Sequence, residues 1–253
     1  MIDPRLELAL NGGGLDLPET GVIAIFQPPV DADLAGLPVE RCKIIHDFKP
    51  AYDAWTARGY EAAHSVEGRY AAAIVCLPRA KNEARALIAD ACEVCDGIVV
   101  VDGQKTDGVD SILREMRTRV TVRGPISKAH GKMFWISEPA AEFFADWKQG
   151  PSLMDGGFWT APGVFSADGV DLASALLVDA LPENLGAEVA DLGAGWGFLS
   201  AHALTRETIK KIYLVEAGHM ALECARRNVT DERAEFLWED ATAWEPPHRM
   251  DAV

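Results

Sequence analysis

Residues 189–198 decide the fold, and they read Val-Ala-Asp-Leu-Gly-Ala-Gly-Trp-Gly-Phe. An apolar run leads into a carboxylate, Asp191, and three glycines spaced two apart follow before a helix-forming segment. A strand, a glycine turn and a helix in this order form the βα corner that binds nucleotides in α/β proteins. Gly193 and Gly195 let the backbone turn sharply and approach a ligand, because no Cβ stands in the way. The stretch therefore predicts a nucleotide-binding loop.

The spacing of the glycines indicates which class of nucleotide the loop binds. The dinucleotide fingerprint G-x-G-x-x-G, counted from Gly193, needs a third glycine where the sequence has Phe198. The pattern D-x-G-x-G instead resembles motif I of the class I S-adenosylmethionine methyltransferases. This resemblance implies that Asp191, Gly193 and Gly195 hold the methionine end of S-adenosylmethionine. Trp196, inside the loop, either covers the cofactor or packs under the loop.

Two more acids stand at the ends of the next predicted strands. Glu216 ends the strand-like run 211–215. A carboxylate at this place suits the two ribose hydroxyls, because it accepts two hydrogen bonds. Asp240 follows the run 234–238, and in the methyltransferase pattern an Asp here accepts a hydrogen bond from the adenine amino group. Each acid by itself is compatible with a solvated strand end, but three acids behind a glycine loop favour S-adenosylmethionine as the cofactor.

Length, composition and charge restrict the class of protein. The chain has 253 residues, 49% hydrophobic and 25% charged, which is ordinary for a soluble globular protein of one large or two small domains. Its net charge of −15 argues against a broad nucleic-acid surface and leaves room for a local basic face. No secretory signal opens the sequence, and no apolar run approaches the ~18 residues of a membrane span. We therefore expect no membrane partner.

The cysteines predict neither disulfides nor a metal site. Their number, five, is odd and fits a reducing cytoplasm better than a disulfide framework, so we expect a cytoplasmic protein. Cys92 and Cys95 form a C-x-x-C at the end of a predicted helix, but no second pair follows. We expect buried thiols here and no bound metal.

One segment, 114–132, is strongly basic. It carries six lysines and arginines against a single acid, Glu115. On an acidic protein such an island is a candidate RNA contact, and it is equally compatible with an ordinary solvated helix and loop. Asn228, outside this segment, is interpreted as the C-terminal residue of a helix.

The remaining pattern predicts two α/β units. All-apolar strand candidates alternate with helix candidates through the first half, as in a parallel sheet covered by helices. The first of these strands ends before Pro28 and Pro29, which cannot form a glycine cradle. The run 149–152 breaks the chain. We expect two tandem Rossmann-like domains with these bounds: a degenerate first domain at 1–148, a linker at 149–162 and a cofactor-binding domain at 163–253.

Further motifs make the resemblance to the methyltransferases more specific. Residues 163–177 contain Gly-x-Phe-Ser, then Asp171 and Ser174, and resemble the G-x-F-S segment of the RsmC-type ribosomal RNA guanine-N2 methyltransferases. In the first half, residues 77–84 resemble that family's P-K-x-K-x-x-A helix start, and residues 101–109 resemble its V-G-E-N-x-x-G-x strand and turn. The resemblance extends over most of the chain.

The resemblance implies an activity, a partner and two more site residues. In this family the first of two methyltransferase-like domains has lost cofactor binding and supports RNA recognition. The second transfers a methyl group from S-adenosylmethionine to the exocyclic amine of a guanine, which must be extruded or unpaired to be reached. The implied partner is ribosomal RNA or the small ribosomal subunit, and the implied process is rRNA methylation. Phe165 and Ser166 are expected to line the cofactor pocket.

The sequence departs from the family pattern after residue 249. The family carries Asn-Pro-Pro-Phe at the end of its fourth strand, where these residues orient the target amine. Here Met250-Asp251-Ala252-Val253 resembles only the opening of that strand. We expect an incomplete second domain with an exposed hydrophobic strand edge, so that the chain is a fragment of a longer protein or is aggregation-prone and inactive. No catalytic residue is assigned within the chain.

Three other functions share parts of the pattern. A protein-glutamine methyltransferase has the glycine loop but should lack the degenerate first domain. A truncated, non-catalytic protein that binds the cofactor or RNA also keeps the loop. A nucleotide-dependent oxidoreductase is disfavoured by the glycine spacing. The sequence leaves open the target nucleotide and the oligomeric state.

Overall fold

Two units of α/β structure make up the chain. The computed structural model describes residues 3–139 and 141–253; residues 1, 2 and 140 of the expected first domain lie outside this part. One unit spans Met1–His46 and Ala51–Gln149, and the other spans Asp47–Pro50 and Gly150–Val253. Strands alternate with helices in both, so the predicted α/β class is confirmed. No helix in the described part is long and apolar enough to cross a membrane.

The first unit is built on a seven-stranded sheet with the order β3-β2-β1-β4-β5-β7-β6. The first five strands in this order are parallel to one another, β7 is antiparallel to β5, and β6 is antiparallel to β7. The strands are β1 (Ile23–Phe26), β2 (Cys42–Ile45), β3 (Glu61–Ala63), β4 (Tyr70–Cys76), β5 (Cys95–Gln104), β6 (Arg123–Lys128) and β7 (Gly131–Ile136). The helices of this half of the chain are α1 (Asp3–Leu10), α2 (Lys49–Ala57), α3 (Lys81–Val94) and α4 (Val109–Arg117).

Strand β1 shows why this sheet is covered on both faces. All four of its residues are apolar and buried. Ala24 and Phe26 point into one hydrophobic core, whereas Ile23 and Ile25 point into the other. An apolar residue at every position is what a parallel strand between two layers requires.

The carboxyl end of β1 carries no glycine loop. The chain continues into Pro28, whose carbonyl oxygen accepts a hydrogen bond from Nε1 of the buried Trp55 at 3.1 Å. The guanidinium of Arg58 lies 4.0 Å from the centre of the Trp55 ring. Side chains of the protein itself therefore pack against the segment where a nucleotide-binding loop would start.

The second unit contains a three-stranded parallel sheet with the order β10-β11-β12. A short antiparallel hairpin, β8–β9, precedes it, within the segment that the sequence analysis assigns to a linker. The elements are β8 (Ser152–Leu153), β9 (Trp159–Thr160), α5 (Leu172–Ala180), β10 (Glu188–Leu192), α6 (Phe198–Ala203), β11 (Lys211–Glu216), α7 (His219–Asn228) and β12 (Ala234–Trp238). Because the strands are parallel and adjacent, their carboxyl ends meet at one edge of the sheet.

Residues after 249 pair with the outer side of β10. Ala252 forms a parallel bridge with Val189, and the Ala190 N–H donates to the Ala252 carbonyl oxygen at 3.0 Å. Asp251 donates its N–H to the Glu188 carbonyl oxygen at 2.8 Å. These residues therefore run parallel to β10 and are hydrogen-bonded to its outer edge.

An apolar surface surrounds this edge of the second unit. Helix α5 has no buried residue, and Leu172 is 74% exposed. Leu176 of the same helix and Leu192 at the end of β10 are also exposed. The sequence analysis expects an exposed hydrophobic edge on β10; residues 251 and 252 pair with part of that edge, and the exposed apolar side chains lie on α5 and at the end of β10 instead.

Candidate functional site

The glycine loop connects β10 to α6. Gly193, Gly195 and Gly197 have φ values of +75°, +56° and +84°, in the left-handed region that side chains disfavour. A Cβ on Gly193 or Gly195 would meet no atom within 4 Å. A Cβ on Gly197 would lie 3.0 Å from Val229 and 3.2 Å from Ala225. The first two glycines thus face open space, and the third allows α7 to pack closely against the loop.

Glu216 holds this loop from the neighbouring strand. Its Oε2 accepts a hydrogen bond from the Gly195 N–H at 2.8 Å, and its Oε1 accepts one from the Gly218 N–H at 2.6 Å. A carboxylate has about four acceptor positions, so two remain for other donors. The sequence analysis assigns Glu216 to a ribose only; the structure adds a role in positioning the loop.

Asp191 lies partly buried at the carboxyl end of β10. Its Oδ2 accepts a hydrogen bond from the Ser200 hydroxyl at 2.6 Å. Burial raises the pKa of Asp191, the hydrogen bonds from Ser200 lower it, and the neighbouring charge of Glu216 raises it. Among the residues that the structure describes, neither Asp191 nor Glu216 forms a salt bridge with a lysine or an arginine. The site therefore has uncompensated negative charge and favours a cationic ligand.

Phe165 and Ser166 line one cavity together with Gly193 and Gly195. The Phe165 side chain is 69% exposed, and its carbonyl oxygen accepts a hydrogen bond from Trp196 Nε1 at 3.1 Å. Ser166 has a φ of +54°, which is uncommon for a residue with a side chain. The structure brings these four predicted residues into one place.

None of the three predicted acids, Asp191, Glu216 and Asp240, is among the residues that line that cavity. Asp191 lines an apolar cavity of about 160 Å³ beside β10, together with Leu177 and Leu199. Asp240 follows β12, where its Oδ1 accepts hydrogen bonds from the Thr242 N–H and hydroxyl at 2.9 and 2.7 Å. These bonds lower the pKa of Asp240. The acids thus follow successive strands of the sheet without sharing one cavity.

Asn228 supports the loop from beneath, in a role that the sequence does not indicate. It is the last residue of α7. Its Oδ1 accepts the Trp159 N–H at 2.6 Å, and its Nδ2 donates to the carbonyl oxygens of Trp159 and Trp196 at 2.8 and 2.7 Å. One amide side chain therefore joins β9, the glycine loop and α7.

Trp196 packs under the loop. Its side chain is 4% exposed. Its ring lies 5.0 Å from that of Phe158 and 5.3 Å from that of Phe198, measured between ring centres. Of the two alternatives left by the sequence, the structure supports packing.

The predicted C-x-x-C lies in the first unit. Cys92 and Cys95 are free and buried, and burial raises the pKa of Cys92 to about 12. Within the described residues, no group of three or more histidine, cysteine, aspartate or glutamate side chains is arranged to hold a metal.

Comparison with known proteins finds a family model that covers the glycine loop. Residues 155–253 match the family model described as the methyltransferase small domain. The matched segment begins before β9 and contains the whole glycine loop. The resemblance predicted from motif I is thereby confirmed.

The structure of the chain is also similar to solved structures. The 16S rRNA N2 methyltransferase RsmC of T. thermophilus, in complex with AdoMet and guanosine, superposes with a TM-score of 0.70 at 21% identity, covering 94% of this chain and 68% of that chain. This likeness shows the fold, which is Rossmann-like as predicted. A ribosomal protein L11 methylase from Lactobacillus delbrueckii subsp. bulgaricus gives a TM-score of 0.41 at 9% identity, covering 54% of this chain and 79% of that chain.

The opposite pKa shifts of two site carboxylates give a prediction. Burial raises the pKa of Asp191, so its folded-state value lies above its unfolded-state value and stability falls as pH rises through that interval. Asp191→Asn removes the buried charge, and we expect the free protein to melt at an equal or higher temperature at neutral pH.

Asp240→Asn is the control. Hydrogen bonds lower the pKa of Asp240, so its ionised carboxylate stabilises the fold at pH values above its unfolded-state pKa, and the variant should melt at a lower temperature. Thermal unfolding at several pH values measures both, and a lower melting temperature for Asp191→Asn at neutral pH contradicts the interpretation.

Proposed function

We propose that this chain is an S-adenosylmethionine-dependent methyltransferase acting on the N2 amine of a guanine in ribosomal RNA. The observation that carries the proposal is the open space at Gly193 and Gly195 together with Glu216, which accepts the Gly195 N–H and forms no salt bridge with a lysine or an arginine among the described residues. S-adenosylmethionine has a sulfonium and an ammonium group at one end, a ribose diol in the middle and an adenine at the other end. Its chemistry fits a glycine cradle, uncompensated negative charge and a series of strand-end acids.

Each predicted residue has an assigned part in holding this cofactor. Asp191, Gly193 and Gly195 hold the methionine end, and the remaining acceptor positions of Glu216 take the ribose hydroxyls. Asp240 accepts a hydrogen bond from the adenine amino group. The exposed ring of Phe165 and the adjacent Ser166 cover the cavity over the loop.

In the methyl transfer, the part of these residues is to bind the cofactor and to orient it. When bound, the cofactor supplies an electrophilic methyl group. The glycine loop and Glu216 fix the position of the cofactor, and Phe165 shields the cavity from water. We assign no residue of this chain to the target amine, so the acceptor of the guanine N–H groups is not among the residues proposed here.

The substrate is proposed from the similarity in fold. The T. thermophilus enzyme acts on the N2 position in 16S rRNA and was solved with guanosine. We extend this substrate class to the present chain, with ribosomal RNA or the small ribosomal subunit as partner and the cytoplasm as its compartment. The first unit, in which Pro28 stands where a glycine loop would start, is proposed as a degenerate methyltransferase-like domain at 1–148, joined by 149–162 to the cofactor-binding domain at 163–253.

Alanine substitutions at two matched glycines test cofactor binding. Gly195 and Gly59 both have positive φ, and a Cβ on either would meet no atom within 4 Å. Either substitution should cost about 1–2 kcal/mol of stability through backbone strain. Only Gly195→Ala should weaken S-adenosylhomocysteine binding, by about tenfold or more, because its Cβ enters the space of the ligand. Isothermal titration calorimetry measures the affinities, and equal affinities of Gly195→Ala and the parent protein would remove the loop from the site.

Loss of the gene tests the substrate. We expect ribosomal RNA from a strain lacking the gene to lose one N2-methylguanosine, detected by mass spectrometry of its nucleosides, and to regain it on complementation. Unchanged ribosomal RNA together with the loss of a methylated glutamine in a protein would establish the protein-glutamine alternative. No change in either would favour a non-catalytic binding protein.

A further inference from the structure

The basic segment 114–132 of the first unit has no part in the cofactor site. Two of its cations are neutralised: Arg119 pairs with Asp146, and Lys132 pairs with Asp110. Within the part of the chain that the structure describes, the other four form no ion pair and donate no side-chain hydrogen bond, and all four are exposed: Arg114, Arg117, Arg123 and Lys128. On a chain with a net charge of −15, this is a local surplus of unpaired positive charge.

A groove lies where α4 connects to β6. It encloses about 440 Å³, within the range of small-ligand sites. The residues that line it include Arg123, Thr121, Ser137, Glu138 and Phe143. The groove therefore combines one aromatic residue with residues that can donate and residues that can accept hydrogen bonds.

Phe143 forms the aromatic wall, and its position is fixed from behind. Its side chain is 49% exposed, so part of it is accessible to a ligand. Arg119 donates to the Phe143 carbonyl oxygen at 2.8 Å and to Asp146 Oδ2 at 2.8 Å, and its guanidinium lies 4.7 Å from the centre of the Trp147 ring. The backbone of Phe143 is thus anchored, while its ring faces solvent.

We propose that this groove binds an unpaired nucleotide of RNA. Unpaired bases stack on exposed aromatic rings, and Phe143 can supply such a ring. The edges of the base donate and accept hydrogen bonds, and the hydroxyls of Thr121 and Ser137 can form them. Arg123 forms no ion pair or side-chain hydrogen bond among the described residues and is available to the phosphate. An A-form duplex keeps its bases stacked, so the groove should select single strands. The inference rests on the proposed function only in that RNA is the partner there.

Fluorescence anisotropy with a short labelled oligoribonucleotide of mixed sequence tests the groove on the 253-residue chain. Phe143→Ala should weaken binding about tenfold with no change in its salt dependence, because it removes a stacking surface. Arg123→Ala should weaken binding and lower the slope of log affinity against log salt by about one, because it removes one phosphate contact. Phe143→Tyr should restore binding, since a tyrosine ring also stacks. The controls are Val39→Ala and Arg79→Ala, exposed residues of matching character outside the groove, which should leave binding unchanged.

Several results would overturn the inference. It fails if the parent protein binds no RNA, if it binds a duplex of the same sequence as tightly as the single strand, or if the groove variants behave like their controls. Competition by polyglutamate as strong as that by RNA would establish an acidic protein partner instead. Circular dichroism should show all variants folded, because the altered side chains are exposed.

Calorimetry with S-adenosylhomocysteine separates this inference from the proposed function. Both groove variants should bind it like the parent protein, because the groove lies in the first unit and the glycine loop in the second. If the parent protein binds no S-adenosylhomocysteine, the proposed function fails while the anisotropy data still decide the groove. If it does bind and the groove variants leave RNA affinity unchanged, only the groove inference fails.

Discussion

The second unit depends on one carboxylate that joins two backbone segments. Glu216 accepts hydrogen bonds from the N–H groups of Gly195 and Gly218 at 2.8 and 2.6 Å. Gly195 has a positive φ, a conformation that is free of steric strain only for glycine. Because glycine also has access to many other backbone conformations, a loop built on it is flexible. The hydrogen bond to the fixed Glu216 carboxylate excludes most of those alternatives. The same carboxylate keeps acceptor positions free for a ligand. Glu216 therefore contributes both to the shape of the loop and to the acceptors that a ligand could use.

Support from below completes this constraint. Asn228 binds Trp159 and Trp196 with three hydrogen bonds, and the ring of Trp196 fills the space between the loop and α7. Gly197 lets that helix approach, since a Cβ there would meet Val229 at 3.0 Å. The loop is thus held on its protein side and open on the side of Gly193. A binding loop needs this asymmetry if the ligand is to meet a preformed surface.

Local sequence patterns predicted the parts of this arrangement that are themselves local. The glycine loop, the strands before Asp191 and Glu216, and their parallel order follow from spacing and apolar runs. The bonds of Asn228 to Trp159 could not be predicted, because they join residues 69 positions apart and leave no periodic trace. The second role of Glu216 was also hidden, since a strand-end acid has the same sequence signal whether it binds a ligand or a backbone. The predicted domain bounds remain predictions, although the two units are each α/β.

The most direct test of the account is an amide NMR titration of the protein with S-adenosylhomocysteine. The account predicts that the amide signals of Gly193, Gly195 and Gly218 shift with one saturating affinity, because these groups form or border the loop that Glu216 holds. The signal of Gly59, a positive-φ glycine in the first unit, should stay in place. Saturable shifts confined to the first unit, or no shifts at any ligand concentration, would contradict the assignment of the glycine loop as a cofactor site.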